Sequence, residues 1–257
     1  MRNRLKERLS AGKVVLGAQM RFGSPAIAEL FGRAGFDYVV IDGEHAPQNP
    51  VSVQAQLQAI GCTEATPIVR LGMNDPDLIR LYLDMGAMGI VVPFISTAQQ
   101  ARTGARACRY PPKGTRGFGP ARAADYGLNT NYFREADDHV LYLPIIETAE
   151  AVAKIDDILA VEGVDSFTVG PVDLCISLGI PFELEHPRLM EALKKVATAA
   201  HRAGKPAGMG TYGDLTDPNT FKRFIDMGFT LLLGGGDEWL LSAACRNVMS
   251  TFAKVRN

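Results

Sequence analysis

Residues 66–93 read TPIVRLGMNDPDLIRLYLDMGAMGIVVP, and the order of the apolar runs in this stretch decides the fold class. Pro67 to Arg70 is a short apolar run that ends on a charge. Asp75-Pro76 follows, a capping residue with proline at the position where a helix's first N–H has no partner, and Asp77 to Met85 carries apolar residues at helical spacing. Gly86 closes that run, as expected of a left-handed residue just past a helix end, and Gly89 to Pro93 is a second β-rich run. Strand, helix, strand in that order, with both strands apolar apart from the closing Arg70, make a βαβ unit whose strands lie parallel and covered on both faces.

The same signals recur on either side. Further strands are predicted at Val14 to Met20, Tyr38 to Asp42, Leu141 to Glu147, Ser166 to Gly170, Pro206 to Thr211 and Thr230 to Gly234, making eight in all. Further helices are predicted at Pro25 to Ala34, Ala98 to Cys108, Ala149 to Leu159, Pro187 to Ala203 and Pro218 to Met227; Ser24-Pro25 and Asp217-Pro218 open two of them, and Gly35, Gly204 and Gly228 follow helical runs. Eight alternating units in 257 residues predict one domain over residues 1–257, a closed (β/α)8 TIM barrel. An open doubly wound sheet fits less well, because Gly17 to Gly23 contains no GxGxxG turn after strand one. The first twelve residues read as a short amphipathic helix that plugs the lower end of the barrel. Tyr110 to His139, rich in proline, glycine and arginine, reads as a long connection with one helix near Tyr132 to Ala136.

Composition narrows the partners. Lys+Arg at 27 against Asp+Glu at 28 gives a net charge of -1, so no global field draws the chain to nucleic acid or to a membrane surface, and small molecules are the expected ligands. Cys62, Cys108, Cys175 and Cys245 are scattered without a CxxC pair, which argues against structural zinc and against a disulfide framework. The charged start MRNRLKERLSAGK and the lack of a long apolar run point to a cytoplasmic protein.

In this fold the chemistry lies at the carboxyl ends of the strands. Strand two ends in Asp42 and runs on through Glu44 and His45, strand three ends in Arg70, strand five in Glu147, and strand six leads to Gly170-Pro171-Val172-Asp173. Glu147 and Asp173 follow adjacent strands, close enough to converge on one hard ion such as Mg²⁺ or Mn²⁺. Position alone leaves two alternatives open: carboxylates that cap the following helices, or an acid and base pair of glycosidase type. Arg70 suits a substrate anion or a structural pair with Asp42 or Glu44. His45 suits a general base. No lysine stands at the carboxyl end of a strand, since Lys13 and Lys205 precede theirs, so a Schiff base is not expected. Gly234-Gly235-Gly236 has no flanking cation and reads as a tight turn or as backbone room for the substrate.

YVVIDGEHAPQN (38–49), the stretch 66–93, RYPPKGTRGFG (109–119), IIETAEAVAKIDDILAVEGVD (145–165) and VGPVDLCISLG (169–179), in this order, resemble the HpcH/HpaI aldolase family. The resemblance implies a class II pyruvate aldolase that joins a 2-oxo acid to an aldehyde with the help of Mg²⁺ or Mn²⁺, or else Co²⁺. It implies that His45 accepts the proton, that Arg70 stabilises the transition state and contacts the substrate, and that Glu147 and Asp173 hold the metal. Asp84 resembles the aspartate that raises the histidine's basicity from a neighbouring subunit, which implies a homo-oligomer, commonly a hexamer built as a trimer of dimers with exchanged C-terminal helices. Asp42, the charged end of strand two, joins His45, Arg70 and Asp84 in the catalytic group. Val172, which stands where the family has alanine, is expected to contact substrate through its backbone N–H, and Asp173 is expected to contact it as well. Two neighbours of the substrate depart from the family pattern: Ile145 replaces a glutamine and Gln19 a tryptophan. Rival chemistries on the same site are cleavage of an acyl-CoA hydroxy acid, which calls for a basic nucleotide groove, and decarboxylation of an oxo acid. The Arg102, Arg106, Arg109, Lys113 and Arg116 cluster reads more simply as a solvated helix face. A third reading is a barrel that binds a 2-oxo acid without turning it over.

Overall fold

The computed structural model describes residues 2–256, so the two end residues of the expected domain, Met1 and Asn257, lie outside it. Eight parallel strands, β1 (Val15–Met20), β2 (Tyr38–Asp42), β3 (Thr66–Arg70), β4 (Gly89–Val92), β5 (Leu141–Ile146), β6 (Phe167–Val169), β7 (Ala207–Gly210) and β8 (Phe229–Gly236), close in sequence order into a (β/α)8 TIM barrel, with β8 pairing back onto β1. Every predicted strand is present, displaced by one or two residues at most. The helices are α1 (Arg4–Ser10), α2 (Pro25–Ala34), α3 (Pro50–Ile60), α4 (Pro76–Asp84), α5 (Ala98–Ala107), α6 (Tyr132–His139), α7 (Ala149–Ala153), α8 (Ile155–Leu159), α9 (Pro171–Ser177), α10 (Pro187–Ala203), α11 (Pro218–Asp226) and α12 (Asp237–Ala253). Among the described residues no helix is long and apolar enough to cross a membrane.

Local chemistry sets these boundaries. Ser24, Asp75 and Asp217 cap α2, α4 and α11 ahead of their prolines. Gly35, Gly86, Gly204 and Gly228 all adopt the positive φ expected past a helix end. The single helix expected over Ala149 to Leu159 is instead two short helices that meet at Lys154, where φ is -101° and ψ is 19°. The helix α3 was not among the expected elements. Its start is encoded by Asn49, whose side chain takes the N–H groups of Val51 and Ser52 while Ser52 Oγ accepts the Asn49 N–H, a capping box ahead of Pro50.

Two cores result. The larger lies between the strands' outer faces and the helices and includes Val39, Ile41, Val69, Ile90, Val92 and Ile146. The smaller fills the barrel itself: Val15, Tyr38, Val40, Ile68, Val91, Leu141, Leu143, Ile145 and Leu231 alternate along their strands, and Leu5 and Leu9 of α1 seal it from below as the expected plug. Tyr38 reaches across β1 to donate its hydroxyl to Leu232 O at 2.8 Å, and this is possible because residue 17 is glycine; a Cβ there would sit 2.3 Å from the ring.

The long connection is more ordered than a loop. Besides α6 it holds a 3-10 segment, Arg122–Gly127, and a satellite core of Tyr110, Ala124, Tyr132 and Ala136. The reading of its basic residues as a solvated face is corrected at two positions. Arg109 is buried and donates to Asp165 at 2.7 Å, and Arg116 is buried and donates to Asp84 at 2.6 Å and to the Tyr132 hydroxyl at 3.0 Å.

Candidate active site

The strand period carries the barrel's inward positions upward from apolar to charged. Residues 38 and 40 of β2 point inward, so 42 does too; 68 leads to 70 on β3, and 141, 143 and 145 lead to 147 past β5. Above the apolar interior, at the carboxyl ends of the strands, a cavity of about 330 Å³ opens between Arg70, His45, Glu147 and Asp173, with Gln19 and Arg21 on the β1 side.

Asp42 is the hub of one wall. It is fully buried and accepts from Arg70 Nε at 2.9 Å and Arg70 Nη2 at 2.5 Å, from Arg21 Nε at 2.9 Å and from Gln19 Nε2 at 2.7 Å. Its Oδ1 also takes the backbone N–H groups of Glu44 and His45, at 3.0 and 3.2 Å. Burial pushes this carboxyl up, but the hydrogen bond and charge of Arg70 and the two backbone N–H groups outweigh it and hold the group well below the usual carboxylate range. Arg70 is thus clamped in a bidentate pair, and its Nη1 lies 3.2 Å from Glu44 Oε2.

Glu147 forms the facing wall. It is 4% exposed, and burial lifts its carboxyl to about 7. The Phe94 N–H and the Arg70 charge oppose that rise, while the charges of Glu44 and Asp173 add to it. Phe94 donates its N–H to Oε1 at 2.7 Å from a backbone of positive φ, 55°, which is rare for an aromatic residue. Oε2 packs over Gly170, where a Cβ would lie 2.8 Å from it, so glycine leaves this oxygen room on the cavity side. Asp173 is half-buried in the first turn of α9, which has no side-chain cap, and Val172 and Asp173 both line the cavity. Glu147 and Glu44, both pushed up by burial and by the charge of Asp173 beside them, together with Asp173 have the donor chemistry of a site for a hard divalent ion. Among the described residues no group of three or more His, Cys, Asp or Glu side chains is placed to hold a metal ion, and Glu147 and Asp173 are two such side chains on one cavity.

The remaining expected residues divide. Gln19, Ile145 and Val172 all line the cavity, Ile145 as part of its apolar floor. His45 lines it as well, with an exposed imidazole whose Nε2 is 3.7 Å from Glu44 Oε2. Asp84 is not brought to His45 within the chain; it ends α4 on the opposite face of the barrel and pairs with Arg116. Lys205 is fixed below β7, where Nζ donates to Leu159 O and Val164 O, and among the described residues no lysine lines the cavity. Glu44 is the partner of Arg70 that the sequence offered beside Asp42, whereas Arg21 and the Phe94 amide have no part in the sequence reading. The position of Arg21 past a strand end was the available signal; the Phe94 N–H had none.

The model of the HpcH/HpaI aldolase/citrate lyase family matches residues 20–239. A 4-hydroxy-2-oxo-heptane-1,7-dioate aldolase of Escherichia coli is 37% identical over 254 residues, 98% of this chain and 95% of the relative. The solved HpcH/HpaI aldolase of Desulfitobacterium hafniense DCB-2 superposes with a TM-score of 0.91 at 32% identity, covering 98% of this chain and 97% of the other. An HpcH/HpaI aldolase/citrate lyase family protein of Burkholderia cenocepacia J2315 gives 0.90 at 32% identity, covering 97% and 99%.

Proposed function

This chain belongs to the HpcH/HpaI aldolase/citrate lyase family and is a carbon–carbon lyase, and from that premise we propose that its cavity makes and breaks the bond between pyruvate, or a related 2-oxo acid, and an aldehyde. The observation that carries this reading is the pairing of two unlike walls: buried Glu147 with Asp173 on one side, and Arg70 clamped by Asp42 on the other. A divalent ion, Mg²⁺ or Mn²⁺ or else Co²⁺, would be held by Glu147 and Asp173 and would supply positive charge to the carboxylate and keto oxygens of the 2-oxo acid. Arg70 holds its guanidinium in a fixed plane at the cavity, so its charge is in place for the oxygen that turns negative when the C3–C4 bond breaks, without any reorganisation. His45, with its backbone N–H anchored on Asp42, takes the proton of the C4 hydroxyl. Val172 and Asp173 offer backbone N–H groups to the substrate carboxylate, and Ile145 and Gln19 shape the space beside it.

The acyl-CoA alternative loses its expected groove. Arg102, Arg106, Arg109 and Lys113 line an open hollow at the amino-terminal face, shared with Asp137, Asp138, Glu162 and Asp165, and Arg109 and Lys6 are already paired with Asp165. None of it borders the cavity.

We also propose a hexamer, a trimer of dimers, in which α12 is exchanged between subunits and Asp84 serves the neighbour's His45. The support is α12 itself: only Asp237 is buried, and Leu240, Leu241, Val248, Met249 and Phe252 face solvent. Light scattering on the chain with and without residues 240–257 checks it; a monomer in both cases rejects it.

The catalytic reading is tested by offering pyruvate with a panel of aldehydes in Mn²⁺, Mg²⁺ or EDTA. Adduct formation that needs the ion supports it, and activity that survives EDTA rejects the metal's part.

A further inference from the structure

Four hydroxyl-bearing side chains line the cavity among the described residues, and three of them are bonded to the barrel's own backbone. Tyr38 donates to Leu232 O at 2.8 Å, Thr211 to Leu233 O at 2.7 Å and Tyr212 to Leu184 O at 2.8 Å. The fourth, Thr168 in the middle of β6, has a side-chain hydroxyl with no hydrogen-bond partner among the described residues.

The strand period sets where this hydroxyl points. Phe167 and Val169 face outward into the helix-covered core, so Thr168 between them faces the barrel interior. Its register partner on β5 is Ile145, which cannot hydrogen-bond through its side chain, and its partner on β7 is Gly208, which has none. The next inward position of the same segment is Gly170, roughly 6 to 7 Å further along, over which Glu147 Oε2 packs. No β6 side chain therefore stands between the Thr168 hydroxyl and the wall of Glu147 and Asp173. The floor around it is apolar, made by Val40, Leu143, Ile145, Leu231 and Leu233. A hydroxyl in such surroundings gains most from a charged acceptor, and an anionic oxygen entering the cavity supplies one.

We propose that the Thr168 hydroxyl donates to the carboxylate of the 2-oxo acid, fixing from below the half of the substrate that the Glu147 and Asp173 wall holds from the side. The inference rests on the aldolase reading of the cavity. Thr168, Val172 and Asp173 lie on one stretch of six residues that runs from β6 into α9, so a single segment of chain receives the carboxylate and carries one of the two carboxylates of the candidate ion site. Thr168 is a binding residue; it moves no proton and forms no bond to the substrate.

The test is calorimetric titration of pyruvate into the Mn²⁺-loaded protein with no aldehyde present. Thr168→Val keeps the shape of the side chain and removes the hydroxyl, and it should weaken pyruvate binding about tenfold or more, as loss of a hydrogen bond to a charged group does. Thr168→Ser keeps the hydroxyl and should bind pyruvate nearly as tightly as wild type. Because the hydroxyl has no partner within the described chain, the melting temperature and the Mn²⁺ affinity of Thr168→Val should stay at the wild-type values. Unchanged pyruvate affinity in Thr168→Val overturns the contact while leaving the aldolase intact. So does a Thr168→Ser protein as weak as Thr168→Val, which would trace the loss to the methyl group, and so does a fall in melting temperature or Mn²⁺ affinity that accompanies the loss. A wild-type protein that binds no pyruvate in the presence of Mn²⁺ overturns the aldolase reading and the contact with it.

Discussion

Asp42 and Arg70 are joined twice over: their Cα atoms are register partners where β2 meets β3, and the carboxylate takes two nitrogens of the guanidinium in a bidentate clasp. Adjacent parallel strands present register partners on the same face, so the barrel delivers both residues to its mouth at once. The clasp neutralises a buried acid and, in the same contact, fixes the plane of the cation that faces the substrate.

Asp42→Asn should therefore cost both fold and activity. Removing one partner of a buried pair costs about 3 to 5 kcal/mol, here with two guanidiniums left facing an amide. The folded-state pKa of Asp42 lies below the unfolded value, so its contribution is complete above about pH 4, near the ordinary aspartate pKa, and fades as pH falls below that. Denaturant midpoints of wild type and Asp42→Asn should differ at pH 7, and the gap should begin to narrow as pH falls from 4 to 3. A constant gap over that range would show that Asp42 stabilises by packing alone.

Arg70→Lys keeps the charge but loses the fork. With Asp42 still held by Arg21 and Gln19, folding should survive, while kcat falls about 100-fold or more, the scale seen when one preorganised oxyanion donor is removed. Steady-state kinetics beside a thermal melt decide the point; a melting loss that matches the activity loss would make Arg70 structural.

Glu147 should make ion binding depend on pH. Burial first, then the neighbouring carboxylates, raises its carboxyl to about 7, and a cation needs the deprotonated form. Mn²⁺ affinity should weaken by roughly tenfold per unit below that pH and level off above it. The sign for folding is the reverse of that for Asp42: the folded pKa is raised, so the share of stability that Glu147 gives the metal-free protein is complete below about pH 4 and is lost as pH rises through about 7. Calorimetric titrations in buffers of different ionisation enthalpy should show a proton released on binding near pH 6, and Glu147→Gln should abolish that release.

Leu5→Ala should separate stability from catalysis. Leu5 is fully buried under the barrel, far from the charged rim, and its truncation should cost about 2 to 5 kcal/mol while kcat stays near wild type. A loss of kcat at temperatures where the variant is fully folded would tie the plug to the site.

The barrel was legible because its signals are local. Period-two runs place residues 42, 70 and 147 inward without any knowledge of their neighbours, and Asp75-Pro76 with Gly86 brackets α4 unaided. What stayed hidden was made by closure. Arg21 and Glu238 lie 217 positions apart in sequence and become partners only because β8 returns to β1. Glu44 stands past the end of β2, where the two-residue period has lapsed and no longer says which way a side chain points. The Phe94 amide serves Glu147 through a backbone conformation that side-chain chemistry does not announce. Asp84 was expected to serve a histidine, and within the chain its carboxylate is occupied by Arg116, a contact formed by folding of the long connection.

The plug formed by Leu5 and Leu9 has a kinetic meaning. With one end of the barrel stoppered, everything that reaches Glu147 enters and leaves through the same mouth, past His45 and Trp239. A vessel with a single opening imposes a queue: the 2-oxo acid, which lies deepest, must arrive before the aldehyde and depart after it. In the cleavage direction pyruvate should then inhibit competitively against the hydroxy-oxo acid while the aldehyde inhibits noncompetitively, and competitive inhibition by both would mean that the two halves exchange independently.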